Sequence, residues 1–334
     1  MRTVLVTGGA GFIGSHLVDQ LLASGSSVRV LDNLSTGSLG NLQAAADYPP
    51  RSLGLLSGSR LEVIIGDIRD REVLRKALRG VKYVFHLAAL PASAVPIIDS
   101  GEIHAVNVEG TLNLLHGSLT EGVWRVVLGS CSSVYGTASA LPVGEDAPLA
   151  PNTLFAASKV AAETYCRAFH ARHQLDTVTL RFFNVYGPRQ RPSPPVTVVP
   201  GVIEALRQRR PFTDLDERSV DDFIYVHDAV DAILAAARAP RAAGRVINVG
   251  SGQMMSIEEV QHIVASLLKT SVPASSPRHP EAPLYQMCAR MSLASELLEF
   301  TPRISLIAGL ARVVRSVTEE EQPERALAPA GLDE

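Results

Sequence analysis

The segment TVLVTGGAGFIGSHLVDQLL, Thr3 to Leu22, most constrains what this chain can fold into. Thr3 to Thr7 is a short apolar, β-branched run that reads as a strand, and an amphipathic helical pattern follows it. Gly8, Gly11 and Gly14 stand between strand and helix, with Phe12 and Ile13 inside the triplet. Gly8 permits a tight turn, Gly11 lets backbone approach a pyrophosphate, and Gly14 lets helix pack on strand. Phosphates then sit at the helix N-terminus, where free N–H groups and the helix dipole favour anions. A glycine triplet alone also fits an ordinary turn, so the neighbouring strands matter.

The second apolar run, SVRVLDN, ends in Asp32, followed by Asn33. A carboxylate at that distance from the glycines can take both ribose hydroxyls of NAD and repels the 2′-phosphate of NADP. LEVIIGDIRD is a third strand ending near Asp67 and Ile68, and YVFHLAAL a fourth ending in Leu87, Ala88 and Ala89. Strands alternating with helical stretches predict an α/β fold, a doubly wound parallel Rossmann sheet with its ligand at the strands' carboxyl ends.

Composition excludes other classes. A formal charge of -3 gives no basic excess for a nucleic-acid partner. The three cysteines, Cys131, Cys166 and Cys288, are widely spaced and odd in number, which suits a reducing cytoplasm rather than a disulfide scaffold. The opening apolar run is too short for a signal peptide, and no later segment reaches a membrane-spanning length without charges. A soluble cytoplasmic protein with no metal site is expected.

The segments TGGAGFIG, LDNLSTG, GDIRD, HLAA, HAVNVEGT with Asn107, SCSSVYG, PNTLFAASK, RFFNVYGP and DDFIYVHDAVDAI occur in that order. Together they resemble the extended short-chain dehydrogenase/reductase family, in particular its nucleotide-sugar epimerases and dehydratases of the UDP-hexose 4-epimerase type. The resemblance covers about residues 1–315. It implies tightly held NAD that takes hydride from a sugar carbon and returns it. It implies an NAD-binding domain of residues 1–185 plus about 226–250. A smaller, mostly C-terminal α/β domain, about 186–225 plus 251–315, would grip a nucleotide-diphosphate sugar, UDP-sugar first among them. The apolar strand Arg245 to Gly250 is expected to rejoin the main sheet, and residues 319–334 read as a disordered tail.

In that family a tyrosine four residues before a lysine moves the proton of the sugar hydroxyl, since i and i+4 share a helix face. The lysine charge lowers the phenol pKa and the lysine holds the nicotinamide ribose. Here Lys159 is present and the tyrosine position is Phe155, on a helix that Asn152 can cap. Losing a positioned acid–base group typically costs on the order of 10²–10⁴ in rate. Tyr165 lies about 15 Å further along the same helix at 1.5 Å per residue, and Tyr135 belongs to the VYG turn. The family's serine or threonine position is Cys131, whose thiol either acts as a substitute base or fills a serine-sized space.

Ser132 and Ser133 follow, where dehydratases of the family resemble Asp-Glu and decarboxylases usually have Glu; two serines look like the 4-epimerases and are candidate sugar contacts. Asn184 matches a diphosphate-contacting position, with Arg189 or Arg191 as further candidates. The family arginine of Arg-Asp-Phe is replaced in Asp221-Asp222-Phe223, so Asp221 is expected to repel phosphate unless Arg218 reaches in. In EAPLYQMCARMSLA, Met287 is assigned to the family's small-residue gate, Arg290 to its aspartate and Glu281-Ala282 to its Gly-Asp. His86 and His227 read as structural. Trp124 is expected to pack ahead of a strand, and Leu112, Leu115 and Leu119 to face a core on a helix that in this family often builds a homodimer.

Three functions follow: an NAD-dependent 4-epimerase, inactivated or using a substitute base; a non-catalytic NAD- or nucleotide-sugar-binding protein; and a dehydratase or decarboxylase.

Overall fold

The β-branched runs assemble into one parallel sheet. The computed structural model describes residues 3–45, 60–91, 100–138, 140–191, 197–212, 217–273 and 285–320. The first part of the chain gives β1 (Thr3–Thr7), α1 (Phe12–Ala23), β2 (Ser27–Asp32), β3 (Leu61–Ile65), α2 (Arg71–Leu78) and β4 (Val81–His86). Next come α3 (Ser100–His104), α4 (Gly110–Thr120), β5 (Arg125–Cys131), α5 (Leu154–His173), β6 (Asp176–Phe182), β7 (Asn184–Tyr186) and α6 (Val198–Arg207). The remainder gives β8 (Val220–Asp221), β9 (Phe223–Tyr225), α7 (Val226–Arg238), β10 (Val246–Val249), β11 (Met255–Ser256), α8 (Ile257–Leu268), α9 (Ser292–Leu298) and α10 (Leu306–Glu320).

The main sheet runs β3-β2-β1-β4-β5-β6-β10 with every pairing parallel. Successive strands build outward from β1 in one direction and then, from β4, in the other. The carboxyl ends of β1 and β4 therefore splay apart at a topological switch point, where a ligand can enter. The apolar run at 246–249 joins this sheet as β10, at the edge beside β6.

Helices cover both faces, which is why the strands are apolar throughout rather than alternating. Leu17 and Leu21 of α1 with Val230 and Ile233 of α7 bury one face, while Leu74, Leu114 and Phe169 of α2, α4 and α5 bury the other. A side chain such as Leu17, fully shielded, contributes about 1.5–3 kcal/mol by leaving water. Beyond β6 the chain builds two small ribbons, β7 with β9 and β8 with β11, packed near α6, α8 and α10.

Local chemistry sets several helix ends. Asp70 accepts from the N–H groups of Glu72 and Val73 to start α2, and Ser256 with Glu259 forms a reciprocal capping box on α8. Helix α5 is capped by Thr153, not Asn152: its hydroxyl accepts from Ala156 N at 3.1 Å. Residues Ala105–Glu109 form one wide π-turn between α3 and α4. At this turn Asn107 takes Leu90 N (2.7 Å) on its oxygen and donates to Leu90 O (3.0 Å) and Ser158 Oγ (2.9 Å).

Two packing expectations change. On α4, Leu115 is buried, but Leu112 is half-buried and Leu119 faces outward. Trp124 stands ahead of β5 as expected yet is half exposed, its ring edge-on to Tyr83 and beneath the Lys82 ammonium at 5.2 Å. A large aromatic at a strand's entry can lie flat on the surface and still shed water on one side. Residues 281–282 and 321–334, which hold the expected Gly-Asp position and most of the expected tail, lie outside the described residues.

Candidate active site

At the switch point lies a cavity of about 460 Å³. Its floor is the glycine turn. Gly8 has φ of +72°, and a Cβ there would lie 2.7 Å from Ala88 N; a Cβ on Gly14 would collide with the Gly8 carbonyl. Only bare backbone fits, and that leaves a cradle a phosphate could occupy at the start of α1. Gly8, Gly11, Phe12, Ile13, Gly14, Asp32, Asn33, Asp67, Ile68, Leu87, Ala88 and Ala89 all line this cavity, as do Cys131, Phe155 and Lys159.

Asp32 ends β2 and braces the glycine turn: Oδ2 accepts Ala10 N at 2.9 Å and Oδ1 accepts Leu34 N at 2.8 Å. Burial pushes its pKa up and these two N–H groups pull it down. Each oxygen keeps a free lone pair, enough for a vicinal diol. Asp67 accepts Asn33 Nδ2 at 3.0 Å and pairs with Arg69 at 2.8 Å, and the Arg69 hydrogen bond holds its carboxyl down at about 2.

His86 is buried under the site. Thr111 donates to Asn107 O, so His86 Nε2 donates to Thr111 Oγ1 (2.9 Å) and Nδ1 accepts from Thr7 Oγ1 (2.7 Å). Burial drops its pKa to about 3. A neutral, doubly bonded imidazole is a brace between β1, β4 and α4. His227 packs edge-on to His16 and Tyr225.

Deep in the cavity, Lys159 is 5% exposed and its Nζ lies 5.9 Å from the centre of the Phe155 ring. Burial lowers the Lys159 pKa, opposed by Cys131 and by Glu163 one turn on. Glu163 is buried too. It accepts Ser130 Oγ at 2.5 Å and pairs with Arg181 at 2.7 Å. Arg181 continues to the Tyr135 hydroxyl (2.9 Å), which donates to Asn248 Oδ1 (2.7 Å). Sequence reasoning did not reach this network, because its members come from β5, α5, β6 and β10.

The half-buried Cys131 ends β5, its Sγ 2.8 Å from Ser133 Oγ. Burial pushes the thiol pKa up, with Ser133 and Lys159 pulling it back. Ser132 is buried.

The substrate-side candidates divide. Asn184 Nδ2 donates to Asp221 Oδ2 at 2.9 Å, so those two come together. Asp222 is fully buried and accepts the N–H groups of Ser251, Gly252 and Ala289. Met287 is buried in a small core with Val134, Tyr135 and Phe183. Arg189 instead turns to Asp19 of α1 at 2.8 Å. Arg191 and Arg218 are exposed, and Arg290 is drawn to Asp146 at 3.6 Å.

Known proteins fit this geometry. Residues 4–250 match the model of the NAD dependent epimerase/dehydratase family. A UDP-glucose 4-epimerase of Mycolicibacterium smegmatis is 36% identical over 328 residues, covering 96% of this chain and all of the relative. Two solved structures superpose closely. The Thermotoga maritima UDP-glucose 4-epimerase with UDP-glucose has a TM-score of 0.84 at 28% identity, covering 96% of this chain and 100% of that one. The Thermus thermophilus UDP-glucose 4-epimerase with NAD has a TM-score of 0.81 at 32% identity, covering 95% and 99%. With a matching family model over most of its length and relatives aligned end to end, this chain belongs to the NAD dependent epimerase/dehydratase family.

Proposed function

We propose that this protein is an NAD-dependent nucleotide-sugar 4-epimerase, with UDP-hexoses as the substrate class. The observation that carries the reading is the shared cavity, in which the glycine cradle, Asp32, Cys131, Phe155 and Lys159 meet. NAD supplies an acceptor for hydride from the sugar carbon and a donor for its return. Gly8, Gly11 and Gly14 would admit its pyrophosphate, Asp32 a ribose diol and Lys159 the nicotinamide ribose. Asp67, Ile68, Leu87, Ala88 and Ala89 complete the walls.

On the substrate side, Ser132 and Ser133 offer hydroxyls to the sugar, and no carboxylate follows Cys131 in sequence to drive loss of water or carbon dioxide. That favours epimerisation over the dehydratase and decarboxylase readings. Residues 1–185 plus about 226–250 hold the cofactor, and about 186–225 plus 251–315 hold the nucleotide. Asn184 contacts the diphosphate from the edge of the second unit. Arg191 and Arg218, both exposed, complement its charge. Two copies associate through α4 and α5, whose outer faces carry Leu119 and Tyr165.

The ring at position 155 favours a second reading, a binding protein that holds NAD and a nucleotide sugar without turnover. One experiment separates the two. The purified protein is denatured and its released nucleotide identified, and intact protein is incubated with UDP-galactose. NAD release together with formation of UDP-glucose supports the epimerase; NAD release with no conversion by either this chain or Phe155→Tyr sinks it.

A further inference from the structure

A 4-epimerase must take a proton from a sugar hydroxyl, and the Phe155 ring has no atom that can accept one. The cavity narrows the replacements. Among the described residues no tyrosine, histidine or glutamate lines it, and its ionisable side chains are Asp32, Asp67, Cys131 and Lys159. Asp32 ends β2 and Asp67 follows β3. Three strand spacings separate β2 from β5, about 14 Å, so both carboxylates serve the far end of the cavity. Cys131 on β5 and Lys159 on α5 remain, at the end that Phe155 shares.

These two differ in how they are engaged. Cys131 Sγ lies 2.8 Å from Ser133 Oγ, and burial pushes the thiol pKa up. Lys159 is 5% exposed, yet its Nζ makes no hydrogen bond or ion pair with any described residue. The carboxylate one turn on, Glu163, is already committed. Its Oε1 accepts Ser130 Oγ at 2.5 Å and Arg181 Nε at 3.1 Å, and its Oε2 accepts Arg181 Nη2 at 2.7 Å. An ammonium buried without a counter-ion is the form that a protein interior disfavours most.

We propose that the neutral amine of Lys159 is itself the base for the sugar hydroxyl and, once protonated, the acid that returns the proton. The inference rests on the epimerase reading above. During oxidation the sugar O–H bond breaks and its proton bonds to the Nζ lone pair, giving an ammonium. The electron pair of the sugar C–H bond leaves as hydride to NAD, and the carbon becomes a ketone. During reduction hydride returns to the opposite face of that carbon, and the Lys159 ammonium gives its proton back to the oxygen. The two N–H bonds of the neutral amine stay free to hold the nicotinamide ribose.

The surroundings favour the amine over the ammonium. Burial lowers the Lys159 pKa by more than Cys131, Glu163 and Cys166 raise it. Of the groups around it, Cys131 is on β5, Glu163 and Cys166 on α5, His86 on β4 and Arg181 on β6. His86 is neutral and Arg181 is paired with Glu163, so neither supplies a counter-charge. At 5.9 Å the Phe155 ring stands at the limit of cation–π attraction and holds little of the charged form.

The full chain has four lysines, which makes one test independent of turnover. In protein labelled with 13C at lysine Cε and stripped of NAD, the resonance lost in Lys159→Arg should titrate below the ordinary lysine value. Titration at or above that value overturns the proposal. With UDP-galactose as probe, Lys159→Arg keeps a cation that cannot release its proton. Its kcat should fall by on the order of 10²–10⁴, and adding Phe155→Tyr should restore turnover. Turnover of Lys159→Arg within about twofold of the unaltered chain overturns the proposal. If Lys159→Arg no longer binds NAD, the unaltered chain decides: its kcat should rise with pH to a plateau, and Cys131→Ser should leave that rise in place. A kcat independent of pH, or a rise that vanishes in Cys131→Ser, overturns the proposal. A silent chain made active only by Phe155→Tyr overturns this inference and leaves the epimerase fold and substrate class standing; silence in both overturns both.

Discussion

The Asn184 amide donates to the Asp221 carboxylate across 2.9 Å, joining β7 to β8. That carboxylate is 8% exposed and takes a second N–H from Asp222. An amide and one backbone N–H offset only part of the cost of burying the charge, so its pKa rises from 3.8 to about 7.

The rise makes stability depend on pH. Folded Asp221 binds a proton that unfolded Asp221 has already lost, so its stabilising effect is full below about pH 4 and is lost as pH rises through about 7. Asp221→Asn should flatten this dependence, melting above the unaltered chain at pH 8 and close to it at pH 4. The gain at pH 8 should be on the order of a few kcal/mol at most. Differential scanning calorimetry across that range checks it; a constant offset would show that Asp221 does not titrate there.

Glu163 and Arg181 are 2% and 4% exposed and form a charge pair inside the fold. Glu163→Ala leaves the guanidinium buried with only the Tyr135 oxygen and Glu145 carbonyl as acceptors. Removing one partner of such a pair costs about 3–5 kcal/mol. Urea denaturation should report that loss, and Glu163→Gln should lose less, since its amide oxygen can still accept from Arg181.

Gly14→Ala places a methyl group against the Gly8 carbonyl and 2.8 Å from the Gly9 Cα. Helix α1 can relieve the clash only by moving off β1, which destroys the phosphate cradle. We expect protein purified without NAD, and a lower melting temperature that added NAD does not recover.

Asp32→Ala removes a charged acceptor for ribose hydroxyls and two bonds that shape the turn. Hydrogen bonds to charged groups contribute about 1.5–3 kcal/mol, so NAD affinity should fall by roughly 10–100-fold. Preference for NAD over NADP should narrow, because the repulsion of the 2′-phosphate disappears. Titration of stripped protein with each dinucleotide measures both.

Cys131 carries a thiol that burial keeps protonated. Its alkylation by iodoacetamide at neutral pH should be slow, and Cys131→Ser should keep most of the turnover. Total loss of activity in Cys131→Ala with rapid alkylation of the unaltered thiol would instead identify Cys131 as the base.

Much of the site was legible because its signals are local. The Gly8, Gly11 and Gly14 spacing, Asp32 at a strand end and the Phe155 to Lys159 interval each depend on geometry within one turn, one strand or one helix. Helix caps were less legible. Asn152 and Thr153 are both good cap residues, and the choice between them depends on how the chain enters α5 after Ala150 N has bonded Val134 O. The fate of the charged residues was not legible at all. Arg189 turned to Asp19 and Arg181 to Glu163, partners 170 and 18 residues away in sequence.

The sequence by itself determined the parallel sheet, the dinucleotide cradle and the gap at position 155, since backbone freedom, side-chain period and the absence of a hydroxyl are properties of residues in order. Only the tertiary structure decided what stands near that gap. Tyr285 is 130 positions from Phe155, and it packs in the small core beside Cys131, which lines the same cavity as Phe155, because residues 285–290 pair with Val220 and Val143. Backbone hydrogen bonds between distant segments set that meeting, and no local pattern encodes them.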